Sequence, residues 1–139
     1  MRLIRRGGDD GSILPLTLGY VLLALAAVLV CTDATSMYLA QKQLDALADS
    51  AALAGADGFT LSLAGTDATA RLTDAGVREQ ASALIAEVGG GARLVSAGTP
   101  DGLSSRVRVA QAWHPPVLTV FVPDGIVLHA TATSRTALR

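Results

Sequence analysis

The chain has 139 residues, a net charge of −1, and apolar side chains at half of its positions against charged ones at 17%. The arginines after Arg6 are scattered, so no dense basic face for nucleic acid is written into the sequence. Cys31 is the only cysteine, which excludes an intrachain disulfide, and the stretch 33–139 is long enough for one small domain but not for two.

Met1 to Gly11 is short and basic, with Gly7, Gly8 and Gly11 around Asp9 and Asp10, and has no periodicity by which to bury itself. The expectation is a leader over 1–12. Ser12 offers a hydroxyl cap to a helix beginning at Ile13, and Pro15 falls in the first turn, where a missing N–H costs nothing. Ile13 to Thr32 then runs without a charge. At about 1.5 Å of rise per residue such a run spans roughly 30 Å, the thickness of a bilayer hydrocarbon core. Arg2, Arg5 and Arg6 precede it and Asp33 follows, so the positive-inside rule places the N-terminus in the cytoplasm and 33–139 outside.

The helical pattern does not stop at Asp33. Apolar residues continue at helical spacing to Gly55, no proline follows Pro15 before Ala56, and only Gly19 and Gly55 weaken the run. The spacing predicts one helix over Ile13–Ala56, with 13–32 as its transmembrane half. Its outer half carries a narrow stripe of Leu44, Leu47, Ala48, Ala51, Ala52 and Gly55, with Gln41, Lys42, Asp45 and Asp49 on other faces. Small side chains let another backbone approach closely. The stripe therefore serves either packing between neighbouring helices in an assembly or cover for the domain's own sheet.

Asp57-Gly58 ends this helix, and Phe59 to Gly65 reads as a short connection. Thr66 or Asp67 is expected to cap a second helix over Ala68–Val88, weakened in its middle by Gly76 and ended by Gly89-Gly90-Gly91. The triple glycine follows a helix and has no Lys-Ser/Thr after it, so it is not a phosphate loop. The last third changes to period two. Arg93–Ala97 is a short strand, Gly98 to Gly102 is turn chemistry, and Ser105–Trp113 alternates Val107, Val109 and Trp113 against Arg106 and Arg108. His114-Pro115-Pro116 interrupts, Val117 to Val122 is a brief apolar run, Pro123-Asp124-Gly125 turns, and Ile126–Thr136 sets Ile126, Leu128, Ala130 and Ala132 against Val127, His129, Thr131, Thr133 and Arg135. The expected class is α+β: a long N-terminal helix, a second helix and a three- or four-stranded antiparallel sheet.

Residues for chemistry are sparse. His114 and His129 lie on different segments with no second cysteine, which is a poor start for a zinc site, and no Gly-x-Ser-x-Gly elbow accompanies the serines. Asp45 with Asp49, and Asp9 with Asp10, read as solvated charges and lack the desolvation that tunes a catalytic carboxylate. Trp113 beside Pro115 and Pro116 reads as strand-end packing before it reads as a ligand platform. Cys31 after Val30 is a weak lipobox. No catalytic residue, cofactor or metal is expected.

Gly11-Ser12-Ile13-Leu14-Pro15-Leu16, the apolar run, Asp33, Tyr38 to Leu44, and Asp49-Ser50-Ala51-Ala52-Leu53-Ala54-Gly55-Ala56 together resemble the N-terminal region of TadE/TadG-like proteins of Flp-type (tight adherence) pilus assembly. The resemblance covers about the first 56 residues well and the closing strands more loosely. It implies a pilin-like fold and a non-catalytic, single-pass pseudopilin or minor subunit of the bacterial cytoplasmic membrane. Its expected partners are the bilayer, other pilin-like subunits and pilus or secretion assembly proteins. It also implies cutting by a prepilin peptidase between Gly11 and Ser12, with Gly8 and Asp9 as the second choice. Leu16 stands five positions after Gly11, where pilins place a glutamate, which favours an accessory or initiating role over the pilus shaft. The rival reading is a small secreted or membrane-tethered binding protein whose apolar run is a signal peptide, cut after Ala34 where Thr32-Asp33-Ala34 loosely fits the small-x-small rule.

Overall fold

A computed structural model of the protein describes residues 13–64 and 67–135. Its elements are α1 (Ile13–Ala56), β1 (Phe59–Ala64), β2 (Asp67–Leu72), α2 (Asp74–Val88), β3 (Arg93–Gly98), β4 (Ser104–Trp113) and β5 (Ile126–Arg135). The class is α+β, with an antiparallel β1-β2 hairpin and an antiparallel β3-β4-β5 sheet beside the two helices.

The helix α1 is unbroken over 44 residues, a length of about 66 Å. Its apolar half is long and apolar enough to cross a membrane. The hydroxyls of Thr17, Thr32 and Thr35 donate to the carbonyls of Ile13, Val28 and Cys31 one turn back, at 2.8, 2.9 and 2.8 Å, so these polar groups bring their own partners. The helix closes where the N–H of Asp57 and Gly58 donate to Ala54 and Gly55.

The stretch 59–72 departs from the sequence-based expectation. Phe59–Ala64 is a strand instead of a connection, and the first five residues of the expected second helix belong to the strand Asp67–Leu72. The two pair in register from Phe59 with Leu72 to Ala64 with Asp67. The sequence does carry the signal: apolar Phe59, Leu61 and Leu63 alternate with Thr60, Ser62 and Ala64, and Ala68, Ala70 and Leu72 alternate with Thr69 and Arg71. Alanine, a strong helix former that is depleted in strands, argues for a helix and hides it.

Thr73 therefore caps α2, not Thr66 or Asp67; its hydroxyl accepts from the Gly76 N–H at 3.1 Å, and Asp74 in the first turn complements the helix dipole. Gly76 lies in that first turn and not in the helix middle. There it meets the end of α1: a Cβ on Gly76 would stand 2.6 Å from the Gly58 carbonyl oxygen, and one on Gly58 would stand 2.9 Å from that of Gly76. Two glycines thus bring the start of α2 against the end of α1.

In the sheet, β4 is central. Ala97, Val107, Val109, Leu128, Ala130 and Ala132 are buried beneath α1 and α2, while Arg106, Arg108, Thr131 and Thr133 face outward. The open face also carries Arg93, paired in register with Ala110, and Arg135, paired with Ser104. The arginines scattered in the sequence are in this way gathered on one sheet face by the period-two alternation. Among the described residues the sheet has three strands; the 117–122 run is a turn, in which Phe121 and Val122 donate to the Leu118 carbonyl.

Candidate functional site

The small-residue stripe of α1 lies inside the domain. Leu44, Ala48, Ala51 and Ala52 are buried, Gly55 is buried with them, and Leu47 packs at their edge; the cluster continues through Val77, Ala81 and Ile85 of α2 into the sheet. The stripe's covering partner is thus the chain's own sheet and second helix. Gly55 shows why the residues are small: a Cβ there would strike the Ser105 Oγ of β4 and stand 3.0 Å from Val77 Cγ1. Alanine and glycine let α1 lie close on the strands, and Leu44 fills the one wide position.

A second set of contacts joins the sheet to α1 where its apolar run ends. Asp33, the first charged residue after that run, is buried, and its two carboxylate oxygens accept from the backbone N–H of Val117 and Leu118, each at 3.1 Å. One helical turn on, Ser36 Oγ accepts from Trp113 Nε1 at 3.3 Å. Further out, Gln41 Nε2 donates to the His129 carbonyl at 3.1 Å and to Asp45 Oδ1 at 2.9 Å. A cleft walled by Val30, Met37, Trp113, Leu118 and Val122 runs beside these bonds and is lined almost wholly by apolar atoms. The turn after it needs a glycine, because Gly125 has φ +67° and a Cβ there would stand 2.6 Å from the Trp113 carbonyl oxygen. Nothing in the sequence pattern singled out Asp33 as more than a boundary charge; its role depends on a loop 84 residues away.

At the far end of the sheet Asp101 staples the β3–β4 turn. It accepts from Leu103 N–H at 2.9 Å and from Ser104 N–H and Oγ, with Arg135 3.9 Å away. These backbone donors, first Leu103 and then Ser104, hold its carboxyl below the ordinary value.

The other candidates are dispersed. His129 points from the open face of β5 and His114 lies exposed beyond the end of β4. Among the described residues no three His, Cys, Asp or Glu side chains gather as metal ligands. Asp45 pairs with Lys42 at 3.5 Å and Asp49 is exposed. Trp113 packs against the core, Gly89 to Gly91 end α2, and Cys31 is a free, exposed thiol on α1. The processing candidates Gly11, Ser12, Gly8 and Asp9 lie outside the described residues, as does the Asp9–Asp10 pair.

Residues 11–58 match the model of a family described as "Putative Flp pilus-assembly TadE/G-like". No curated protein and no solved structure matches the chain. The matched stretch contains all of α1, both the apolar half and the half that carries the domain. Over that helix the chain is similar to TadE/G-like proteins of Flp pilus assembly.

Proposed function

We propose that the protein is a non-catalytic, membrane-anchored pseudopilin-like subunit that assists assembly or anchoring of a Flp-type pilus or a related secretion machine. The observation that carries this reading is the coincidence of the family match with one continuous helix, bare and apolar over 13–32 and clothed by a small domain over 33–56. In this reading 1–12 is a cytoplasmic leader, 13–32 spans the bacterial inner membrane and 33–139 stands outside. A rigid helix through the boundary fixes the domain relative to the bilayer, as an assembly subunit requires. Because the Ala48–Ala51 stripe is taken up by the domain itself, contacts with other pilin-like subunits fall to the exposed sides of α1, where Tyr38, Leu39 and Leu53 are available. Prepilin peptidase cutting between Gly11 and Ser12 belongs to the same proposal.

The secreted alternative meets a specific obstacle. A cut after Ala34 would remove Asp33 and leave the N–H groups of Val117 and Leu118 without their acceptor. Intact mass and N-terminal sequencing of the protein in membrane and soluble fractions separate the two: a start at Ser12 or Met1 in the membrane fraction agrees with the anchor, and a soluble form starting at Thr35 overturns it. The pilus role is tested by a photo-crosslinking residue at Leu39 in cells that make the pilus. Adducts with other pilus-assembly subunits are expected, and their absence with full incorporation of the probe would remove the role.

A further inference from the structure

The segment from Pro115 to Pro123, Pro-Pro-Val-Leu-Thr-Val-Phe-Val-Pro, has no charge, and its tip is exposed: Val120 is 87% and Phe121 80% accessible. Large apolar side chains at such exposure on a nine-residue loop call for a cover. The position of the loop says what the cover is. Its root is bonded through Val117 and Leu118 to Asp33, which ends the apolar run of α1, and Leu118 and Val122 share an apolar cleft with Val30 of that run. The loop therefore stands beside α1 at the level where the membrane-crossing segment ends, and its apolar surface is continuous with that segment.

Four of the six N–H groups of 117–122 are satisfied within the protein, and those of Thr119 and Val120 at the tip are left to the hydrated interfacial layer. Val117 and Leu118 donate to Asp33, Phe121 and Val122 to the Leu118 carbonyl, and Gly125 to the Val122 carbonyl, while Pro115, Pro116 and Pro123 have no N–H to satisfy. The Thr119 hydroxyl is turned inward to the Pro115 carbonyl at 2.6 Å. Trp113, with its ring in the same cleft and its N–H on Ser36, has the amphipathic placement favoured at a membrane–water boundary.

We infer that the Val117–Val122 loop is a second membrane contact, inserting Val120 and Phe121 into the interfacial layer of the bilayer beside α1. The inference rests on the reading of 13–32 as a membrane span. Two points of attachment, a helix and a loop locked to it by Asp33, fix the azimuth of the sheet about the helix as well as its height, which a single helix cannot do. The occupant is lipid; a neighbouring subunit covering the same tip is the competing outcome.

The test uses the full chain with Cys31→Ser, reconstituted alone into phosphatidylcholine/phosphatidylglycerol vesicles, with a polarity-sensitive fluorophore on one introduced cysteine: Leu22→Cys in the span, Phe121→Cys at the tip, or Pro100→Cys in the exposed turn at the other end of the sheet. The label at Phe121 is expected to be blue-shifted, quenched by lipids spin-labelled near the headgroup, and severalfold less accessible to an aqueous quencher than the label at Pro100. If the Leu22 label lies in lipid but the Phe121 label behaves like that at Pro100, the loop inference fails alone. If the Leu22 label is also in water, the span itself fails and the inference with it. Shielding of Phe121 that appears only when other pilus subunits are present assigns the tip to a protein neighbour and overturns the lipid contact.

Discussion

The two halves of α1 are one helix with opposite relations to their surroundings. From Ile13 to Thr32 no residue is buried, and Leu14, Leu16, Leu23 and Tyr20 stand out with more than half of their surface free. From Asp33 to Ala56 the helix is less apolar, yet it holds Asp33, Leu44, Ala48, Ala51, Ala52, Gly55 and Ala56 in the interior. Hydropathy and burial therefore run in opposite directions along the same rod. Large side chains on a bare helix serve an apolar medium, where helix packing gains nothing from water exclusion. Small side chains in the outer half serve close approach, where the gain comes from contact.

The sharpest way to break this comparison is a matched pair of substitutions. Leu44→Ala should destabilise the outer domain by about 3 kcal/mol, the usual cost of emptying a buried leucine site, whereas Leu22→Ala should leave its stability unchanged. Thermal and denaturant unfolding of the full chain in detergent micelles, followed by Trp113 fluorescence, reads both. Next in size, Gly55→Ala should cost about 2 kcal/mol because its methyl group drives into Ser105 and Val77. Pairing it with Ser105→Gly should recover part of the loss, which a mere helix-propensity effect would not do, since alanine is the better helix former.

Asp33→Ala tests the boundary between the halves. It leaves two part-buried backbone donors unpaired and should cost about 1 to 2 kcal/mol. Hydrogen exchange should accelerate at Val117 and Leu118 while the β4 core is little changed; uniform acceleration would mean that Asp33 supports the whole domain instead of the loop.

The smallest effect lies at the far turn and is seen only through pH. Asp101 has its folded pKa lowered, so below the ordinary carboxylate value the unfolded chain binds the proton more readily than the folded one. Its contribution is present above that value and is lost as pH falls through the lowered folded pKa. Asp101→Asn should flatten the acid limb of the stability profile and leave the neutral region nearly level apart from the loss of an acceptor charge. An unchanged acid limb would show that the Leu103 and Ser104 donors do not discriminate the charged form.

Much of this architecture was legible in the residues because it rests on local periodicity. The bounds of α1 follow from an uninterrupted 3.6-residue pattern free of internal proline. The strands β4 and β5 follow from clean alternation of valine, arginine and threonine. The β1–β2 hairpin is hidden because the alanines of β2 favour a helix by propensity. Thr66 and Asp67 precede Thr73 and are equally good caps by residue type, so residue type alone does not single out Thr73. For the stripe, both uses were visible in its composition, and composition could not choose between them.

Taken by itself, the sequence determined the long helix, its apolar half, the α+β class and the family resemblance, all of which depend on residues close together along the chain. Only the tertiary structure decided what the stripe of α1 packs against, that Asp33 holds a loop 84 positions away, and that the open sheet face collects Arg93, Arg106, Arg108 and Arg135. The reason is physical. Helix and strand periods are set by the backbone, whereas the partner of a small buried side chain or a single carboxylate is set by whichever distant segment the folded chain brings within a few ångströms.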